Sequence, residues 1–177
     1  KSGQEVGVAA TKTFLTQMQA LYALGVHLAF NSGSLDHPQV KLWESEIRKI
    51  PSKITQVLNN SEAIKALVPY FVKAKSAFFI GRNINYPLAL EGALKLKEIS
   101  YIHAEGYPAG ELKHGPLALL SKDTPVLAIA MQDHTYSKLV SNIEEVSARS
   151  APVVTLCQRG DQQIPKISDN YFELPEI

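Results

Sequence analysis

The spacing of apolar residues predicts that the first part of the chain is helical. In "TKTFLTQMQALYALGVHLAF", apolar residues recur at intervals of three and four with further apolar residues beside them, which is typical of a long, well-covered helix. The turn residues of "NSGSLDHP" end this helix. Two shorter helices are predicted to follow, one over residues 43–58 and one from Ser61, a favourable N-cap, to about Val72.

Beyond residue 72 the pattern changes to short, continuous apolar runs that alternate with helical segments. Strands are predicted at "SAFFIG", "SYIHAE", "PVLAIAM", "PVVTLC" and "YFEL", and helices from Pro87 and over "TYSKLVSNIEEVSARS". This alternation indicates a parallel sheet covered by helices on both faces. Ligands of such sheets bind beyond the carboxyl ends of the strands, where residues 81–86 and 105–115 are expected to lie.

Composition narrows the classes of function. The chain has 177 residues, of which 45% are hydrophobic and 20% charged, so it fits one domain with a substantial core. Its net charge of +1 gives no electrostatic argument for nucleic acid or a membrane surface as partner. No apolar run is long enough to span a bilayer, and the first residues lack a signal-peptide pattern. Because the chain begins at Lys1, it is interpreted as a piece of a longer protein.

The single cysteine indicates a compartment. Cys157 cannot form an internal disulfide, and it lies in the apolar run "PVVTLCQ", which favours a buried, inert thiol over a nucleophile. A reducing, cytoplasmic location is therefore expected.

The most concentrated charges follow Pro87. On a helix starting there, Glu91, Lys95 and Glu98 lie along one face, and most of the remaining circumference is apolar. Such a helix is expected to be buried, with its charged stripe facing a cleft or an internal ion-pair network. The spacing alone leaves open a solvated surface pair. In a partly closed site, burial would disfavour the ionised form of Glu98, whereas Lys95 would favour it. This balance suits a proton-transfer base.

A second cluster, "GELKHGP", places His114 on a glycine-flanked turn. The glycines permit a sharp turn and Pro116 restricts how the histidine is presented. A histidine so placed suits acid–base chemistry near neutral pH, and a surface histidine at a helix end is the alternative. The other histidines lack the spacing of metal ligands, so no metal site is predicted.

Two long blocks, "ALEGALKLKEISYIHAE" and "GELKHGPLALL", resemble the isomerase part of the glutamine–fructose-6-phosphate aminotransferase family. "GVAATKTFLTQ" is similar to that family's lead-in to its second sugar-isomerase (SIS) domain, so the resemblance runs from about Glu5 to the end. It implies an α/β fold: a flavodoxin-like, doubly wound SIS domain with a five-stranded parallel sheet between helices, preceded by a helical lead-in. One domain over 1–177 is expected, with a helical part at 1–72 and an α/β core at 73–177.

The resemblance also implies the chemistry. The family makes glucosamine 6-phosphate from fructose 6-phosphate and glutamine without a cofactor. Matched by motif, Glu98 is the base that moves a proton between C1 and C2, and Lys95 stabilises the negative charge of the enediol-like intermediate. His114 matches a histidine that helps to open the sugar ring and is donated across a dimer interface. A homodimer with shared sites is therefore expected.

The lead-in segment is implied to line the sugar pocket through Glu5, Val8 and Ala10. Ala10 stands where the family usually has serine, so no side-chain hydroxyl is available there. Three working parts of the family have no counterpart in this sequence: the glutaminase domain, the first SIS domain that binds the sugar phosphate, and the C-terminal tail with its Schiff-base lysine. The fragment is therefore expected to fold but to have negligible synthase activity.

Two other interpretations compete with this one. The first is a non-catalytic SIS module that binds a phosphosugar to regulate another domain, for which neither a base at Glu98 nor an acid at His114 would be needed. The second is a nucleotide-binding doubly wound domain. It is disfavoured because "FFIGRNINYP" has a single glycine between strand and helix instead of the dinucleotide fingerprint.

Overall fold

The computed structural model describes residues 2–176, so Lys1 and Ile177, the ends of the predicted 1–177 domain, lie outside the described residues. The described chain forms two compact units, residues 2–59 and Asn60–Glu176. The first unit is helical and the second contains the sheet. The division of the domain between residues 72 and 73 stays a prediction.

Two long helices, α1 (Lys12–Asn31) and α2 (His37–Asn59), make up the first unit. The predicted interruption between them is confirmed, but α2 begins at His37 and not at residue 43. Asp36 explains the early start, because Gln39 N donates to Asp36 Oδ1 and Asp36 N donates to Gln39 Oε1, both at 2.9 Å. This reciprocal capping box satisfies N–H groups that the helix leaves unpaired at its first turn.

Helix α1 is less covered than its pattern predicts. None of its residues is buried, and Leu21, Leu24 and Leu28 are exposed. The expectation of a well-covered helix is therefore wrong for this unit, because residues 2–59 do not supply enough apolar neighbours. No helix within residues 2–176 combines the length and apolar character needed to cross a bilayer.

The second unit has the predicted strands in the predicted order, but the helix predicted from Ser61 to Val72 is divided in two and a short helix after β4 was not predicted. Its elements are α3 (Ser61–Leu67), α4 (Pro69–Val72), β1 (Ser76–Gly81), α5 (Asn85–Ser100), β2 (His103–Pro108), β3 (Val126–Ala130), α6 (Tyr136–Ser147), β4 (Val153–Gln158), α7 (Ile164–Ile167) and β5 (Tyr171–Leu174). Two 3₁₀ segments, Ala109–His114 and Pro116–Leu119, connect β2 to β3. Each predicted strand is present. Ser61 is the first residue of α3, and Asn60 occupies the N-cap position predicted for it.

The sheet is five-stranded and all its pairs are parallel, which confirms the predicted fold class. Its order, β2-β1-β3-β4-β5, is that of flavodoxin-like doubly wound domains. Successive strand residues point to opposite faces. Phe78 and Ile80 accordingly belong to one core cluster, whereas Ala77 and Phe79 belong to another. Both faces of the sheet are therefore packed.

Helix α5 lies close to the sheet because the contact is made by small residues. Ala89 and Ala93 are buried, and a Cβ on Gly106 of β2 would lie 2.8 Å from the Cα of Leu90. Away from this contact α5 exposes larger apolar side chains, which include Leu88, Leu94 and Ile99. The prediction that α5 is buried nearly all round is therefore wrong for this chain, because Leu96 packs against the core cluster of Phe79 whereas Leu88 and Leu94 are exposed.

Candidate functional site

Three of the four charged residues of α5 form one ion-paired group in the second half of the helix. Lys95 Nζ lies 2.6 Å from Glu98 Oε2 and 3.5 Å from Glu91 Oε1. The side chains of Lys95, Glu91 and Glu98 are 22%, 25% and 29% exposed, whereas an equally short pair on α3 is 67% and 82% exposed. The hydrogen bond to Glu98, more than any other contact, raises the pKa of Lys95. The lysine therefore stays cationic beside two carboxylates.

Glu98 lies toward the amino ends of the strands. Helix α5 begins beside Gly81 at the carboxyl end of β1 and returns along the sheet, and Tyr101, with φ 61°, reverses the chain into β2. Between Asn85 and Glu98 the helix rises about 20 Å. The rim at the carboxyl ends, where residues 81–86 lie, is thus at the opposite end of α5. Glu98 therefore does not lie at the rim where ligands of such sheets are expected to bind.

His114 lies on the face of the sheet opposite to α5. It ends Ala109–His114, which we call the His114 segment, and Leu112 of that segment is buried in the cluster that contains Phe78 and Ile143 of α6. Helix α5 instead packs in the cluster of Phe79. His114 is exposed and precedes Gly115, whose φ of 140° favours glycine. One copy of this unit therefore does not bring Glu98 and His114 together.

Glu5 caps the N-terminus of α1. Its Oε1 accepts hydrogen bonds from Thr11 N at 2.8 Å, Thr11 Oγ1 at 2.7 Å and Lys12 N at 3.1 Å. Its Oε2 accepts from Thr13 N at 3.2 Å and from the Thr13 hydroxyl. These hydrogen bonds lower the pKa of Glu5 to about 2, and the bond from the Thr13 hydroxyl has the largest effect. The carboxylate is therefore ionised, and it pairs N–H groups that a helix leaves free at its start.

Val8 and Ala10 lie in the loop between Glu5 and the helix that Glu5 caps. The side chain of Val8 is exposed and Ala10 is half-buried. Neither side chain can donate or accept a hydrogen bond, so a sugar hydroxyl could be bound at these positions only through the backbone.

A cavity of about 430 Å³ opens at the carboxyl ends of β3 and β4, where the sequence had singled out no residue. It is lined by the polar residues Gln132, Asp133, Tyr136, Asp161, Gln162 and Gln163. The Tyr136 hydroxyl donates to Asp161 at 2.6 Å, and Asp133 accepts from Thr135 N at 2.7 Å. Both carboxylates thus hold local structure, and their charge disfavours a phosphate in this cavity. The polar runs "QD" and "GDQQ", which follow predicted strands within two residues, are the signal that could have located it.

Two further predictions concern the thiol of Cys157 and metal binding. Cys157 is buried, and burial raises the pKa of its thiol to about 12, which confirms the interpretation as an inert core residue. Among residues 2–176, no three His, Cys, Asp or Glu side chains are grouped as metal ligands.

Comparisons with known proteins agree with the fold. Residues 70–176 match the SIS domain family. The chain is 52% identical, over 99% of its length, to glutamine–fructose-6-phosphate aminotransferase (isomerizing) of Methanosarcina acetivorans, and 47% identical over 99% to that of Aquifex aeolicus. It spans 28% of the length of each relative. The C-terminal domain of glucosamine-fructose-6-phosphate aminotransferase from Francisella tularensis superposes with a TM-score of 0.91 at 39% identity, over 98% of this chain and 49% of that one.

Proposed function

This chain belongs to the SIS domain family, and we propose that it forms the C-terminal isomerase segment of a glutamine–fructose-6-phosphate aminotransferase. Alignment of nearly the whole chain with relatives of that name supports the proposal. Such an enzyme converts fructose 6-phosphate and glutamine into glucosamine 6-phosphate and glutamate. Glutamine hydrolysis and binding of the sugar phosphate are assigned to a glutaminase domain and a first SIS domain of such an enzyme, in the part of the relatives' length that this chain does not span.

The residues that perform the isomerisation are Glu98 and Lys95. Glu98 moves a proton between C1 and C2, because a carboxylate held beside the substrate can take the proton from one carbon and return it to the other. Lys95 stabilises the negative charge that develops on the substrate oxygen meanwhile. The observation that carries this proposal is the 2.6 Å pair of Lys95 and Glu98, whose side chains are 22% and 29% exposed and lie on a helix with exposed apolar side chains.

His114 assists opening of the sugar ring and is supplied by a second copy of the chain. The arrangement on two faces of the sheet supports this part of the proposal, because His114 and Glu98 of one copy cannot meet. The enzyme is therefore a homodimer in which each site combines Glu98 of one subunit with a histidine of the other.

The lead-in segment contributes to the sugar pocket through Glu5, Val8 and Ala10. The geometry of residues 2–59 supports a backbone contact at positions 8 and 10 and an indirect role for Glu5, whose carboxylate already accepts hydrogen bonds from Thr11, Lys12 and Thr13. A cytoplasmic location is part of the same proposal, supported by the free thiol of Cys157.

The decisive experiment is complementation between two inactive variants of the full-length enzyme that contains this chain. Glu98→Gln and His114→Ala are purified separately, then unfolded, mixed and refolded, and conversion of fructose 6-phosphate is assayed. If the sites are shared, half of the dimers are mixed and each mixed dimer has one intact site, so about a quarter of the wild-type activity returns. If each site lies within one subunit, mixing restores nothing.

The same variants test the non-catalytic alternative. A module that only binds a phosphosugar would keep its affinity in Glu98→Gln and His114→Ala, and the wild-type enzyme would not isomerise the sugar. Measurable isomerisation by the wild type that disappears in both variants would exclude that alternative.

A further inference from the structure

The segment that carries His114 is held by Arg82 near its start and by α6 near its end. Near its start, the Arg82 guanidinium lies against Gly110, where a Cβ would be 2.8 Å from Arg82 Nη1. Near its end, Lys113 Nζ lies 2.7 Å from Glu145 Oε1. Between these contacts Leu112 is buried in the core. A short 3₁₀ segment is thus fixed at three successive points, and the exposed histidine is its last residue.

Asn142 of α6 connects the two anchors. It is 5% exposed, accepts a hydrogen bond from Arg82 Nη1 at 2.9 Å and donates to Glu145 Oε2 at 3.2 Å. A buried amide in the middle of a helix is unfavourable unless its groups are paired, and here both its oxygen and its nitrogen have partners. The hydrogen bond from Lys113, with that from Asn142 adding to it, lowers the pKa of Glu145 and keeps the second anchor ionic.

The chain of contacts therefore runs from Arg82, at the carboxyl end of β1, through Asn142 and Glu145 to Lys113, the neighbour of His114. We propose that Arg82, Asn142 and Glu145 are positioning residues that fix the His114 segment and so present His114 in the orientation that a second subunit requires. This inference rests on the proposed role of His114 in the isomerisation. None of the three residues needs to touch the substrate.

The alternative for this network is ordinary stabilisation of the fold. Three features favour positioning. The network joins the end of β1 and α6 to a short 3₁₀ segment, it combines a guanidinium, a buried amide and a carboxylate, and Gly110 leaves the space that the guanidinium occupies. A displacement of about 1 Å in a catalytic group can lower the rate a hundredfold, so a loop histidine benefits from such fixation.

The test measures isomerisation by the full-length enzyme with Arg82→Ala, Arg82→Lys and Glu145→Gln. Glu144→Gln is the matched control, because Glu144 is the exposed neighbouring residue of Glu145 on the same helix. Arg82→Ala and Glu145→Gln are expected to lower kcat about tenfold to a hundredfold with little change in KM. Arg82→Lys should recover part of the loss, and Glu144→Gln should have wild-type kcat.

A double-variant cycle separates positioning from stabilisation. If Arg82 acts through His114, Arg82→Ala adds no further loss of kcat to an enzyme that already carries His114→Ala. Additive losses would overturn the inference. Backbone ¹⁵N relaxation of residues 110–114 gives a readout independent of activity, and unchanged mobility in Arg82→Ala and Glu145→Gln would also overturn it. If His114→Ala alone kept full activity, the proposed function of His114 would fail, while the relaxation data would still decide whether the network fixes the segment.

Discussion

Glu98 and His114 belong to the same α/β unit but are separated by its sheet. Glu98 is on α5, which packs with Phe79 on one face, and His114 ends a segment that packs with Phe78 on the other. Adjacent residues of a strand point to opposite faces of the sheet. Phe78 and Phe79 are neighbours on β1 and therefore pack in different core clusters. The two residues for which acid–base roles are proposed are thereby kept apart within a subunit. Their cooperation would require a second subunit, as in the proposed shared site.

We expect Glu98→Gln to abolish most of the isomerase activity of the full-length enzyme. Glutamine keeps the size of the side chain but cannot take up a proton, and loss of a general base typically costs a factor of about 10² to 10⁴ in kcat. Glu62→Gln is the matched control, because Glu62 forms a pair with Lys65 at the same 2.6 Å separation but in full contact with solvent. Conversion of fructose 6-phosphate measures both variants. Glu98→Gln with activity near that of Glu62→Gln would show that another group moves the proton.

The strands and the charged stripe could be predicted from sequence because both depend on local spacing. "SAFFIG" is apolar at successive positions because both faces of β1 are packed, and Glu91, Lys95 and Glu98 share a face because a helix turns once every 3.6 residues. The early start of α2 was missed although its signal, Asp36 followed by Gln39, is also local. Hydrophobic spacing alone indicates a later start for α2. The capping box nevertheless begins the helix earlier.

The exposure of α5 and the placement of His114 could not be predicted in the same way. Apolar residues all round a helix indicate burial but do not say which chain supplies the cover, so Leu88 and Leu94 were expected to be buried and are exposed. Which face of the sheet His114 occupies depends on the path of the chain from β2 to β3. Likewise, the contact of Lys113 with Glu145 joins residues far apart in sequence, and no local pattern marks it.

We expect Glu5 to titrate far below an ordinary glutamate. Its pKa in the folded chain is about 2 because Thr13 and Thr11 donate hydrogen bonds to the carboxylate, whereas an unfolded glutamate has a pKa of about 4.3. Since the folded value is depressed, the stabilisation of the capped loop is complete above the unfolded value and is lost as pH falls toward 2. NMR titration of the Glu5 carboxyl carbon measures the midpoint, and hydrogen exchange at Thr11 and Thr13 follows the loop.

In Glu5→Gln the loop should lose this acid dependence, because the amide does not titrate and can accept hydrogen bonds through only one atom. Its amides at positions 11 and 13 should exchange faster than those of the wild type at neutral pH. A midpoint near 4 for the wild-type carboxyl group would contradict the cap geometry.

The thiol of Cys157 should be unreactive until the α/β unit opens. Burial, reinforced by the nearby Asp161 carboxylate, raises its pKa to about 12, so the thiolate is scarce at neutral pH and an alkylating reagent cannot reach it. Alkylation at pH 8, followed by mass spectrometry, should be slow in buffer and fast in urea. Glutathione, whose thiol is free in solution, serves as the reference for reagent reactivity. Equal rates for the folded and unfolded chain would mean that β4 is accessible in the native state.

Gly106→Ala should destabilise the α/β unit and displace the helix that carries Glu98. A Cβ at position 106 would lie 2.8 Å from the Cα of Leu90 and 2.9 Å from its nitrogen, so the backbone of α5 itself must shift. Overpacking of this kind costs about 1–3 kcal/mol. Gly25→Ala is the matched control, because Gly25 is inside α1 with no neighbouring atom within 4 Å of the added Cβ. Alanine in a helix interior is favoured over glycine by about 1 kcal/mol.

Urea unfolding of the two variants compares these effects, and the isomerase rate of the full-length enzyme connects them to function. We expect Gly106→Ala to unfold at lower urea concentration than the wild type and to lose kcat, because Lys95 and Glu98 move with α5. Gly25→Ala should be at least as stable as the wild type. If Gly106→Ala were as stable as Gly25→Ala, α5 could not lie as close to β2 as the 2.8 Å approach requires, and the position assigned to the Lys95–Glu98 pair would be wrong.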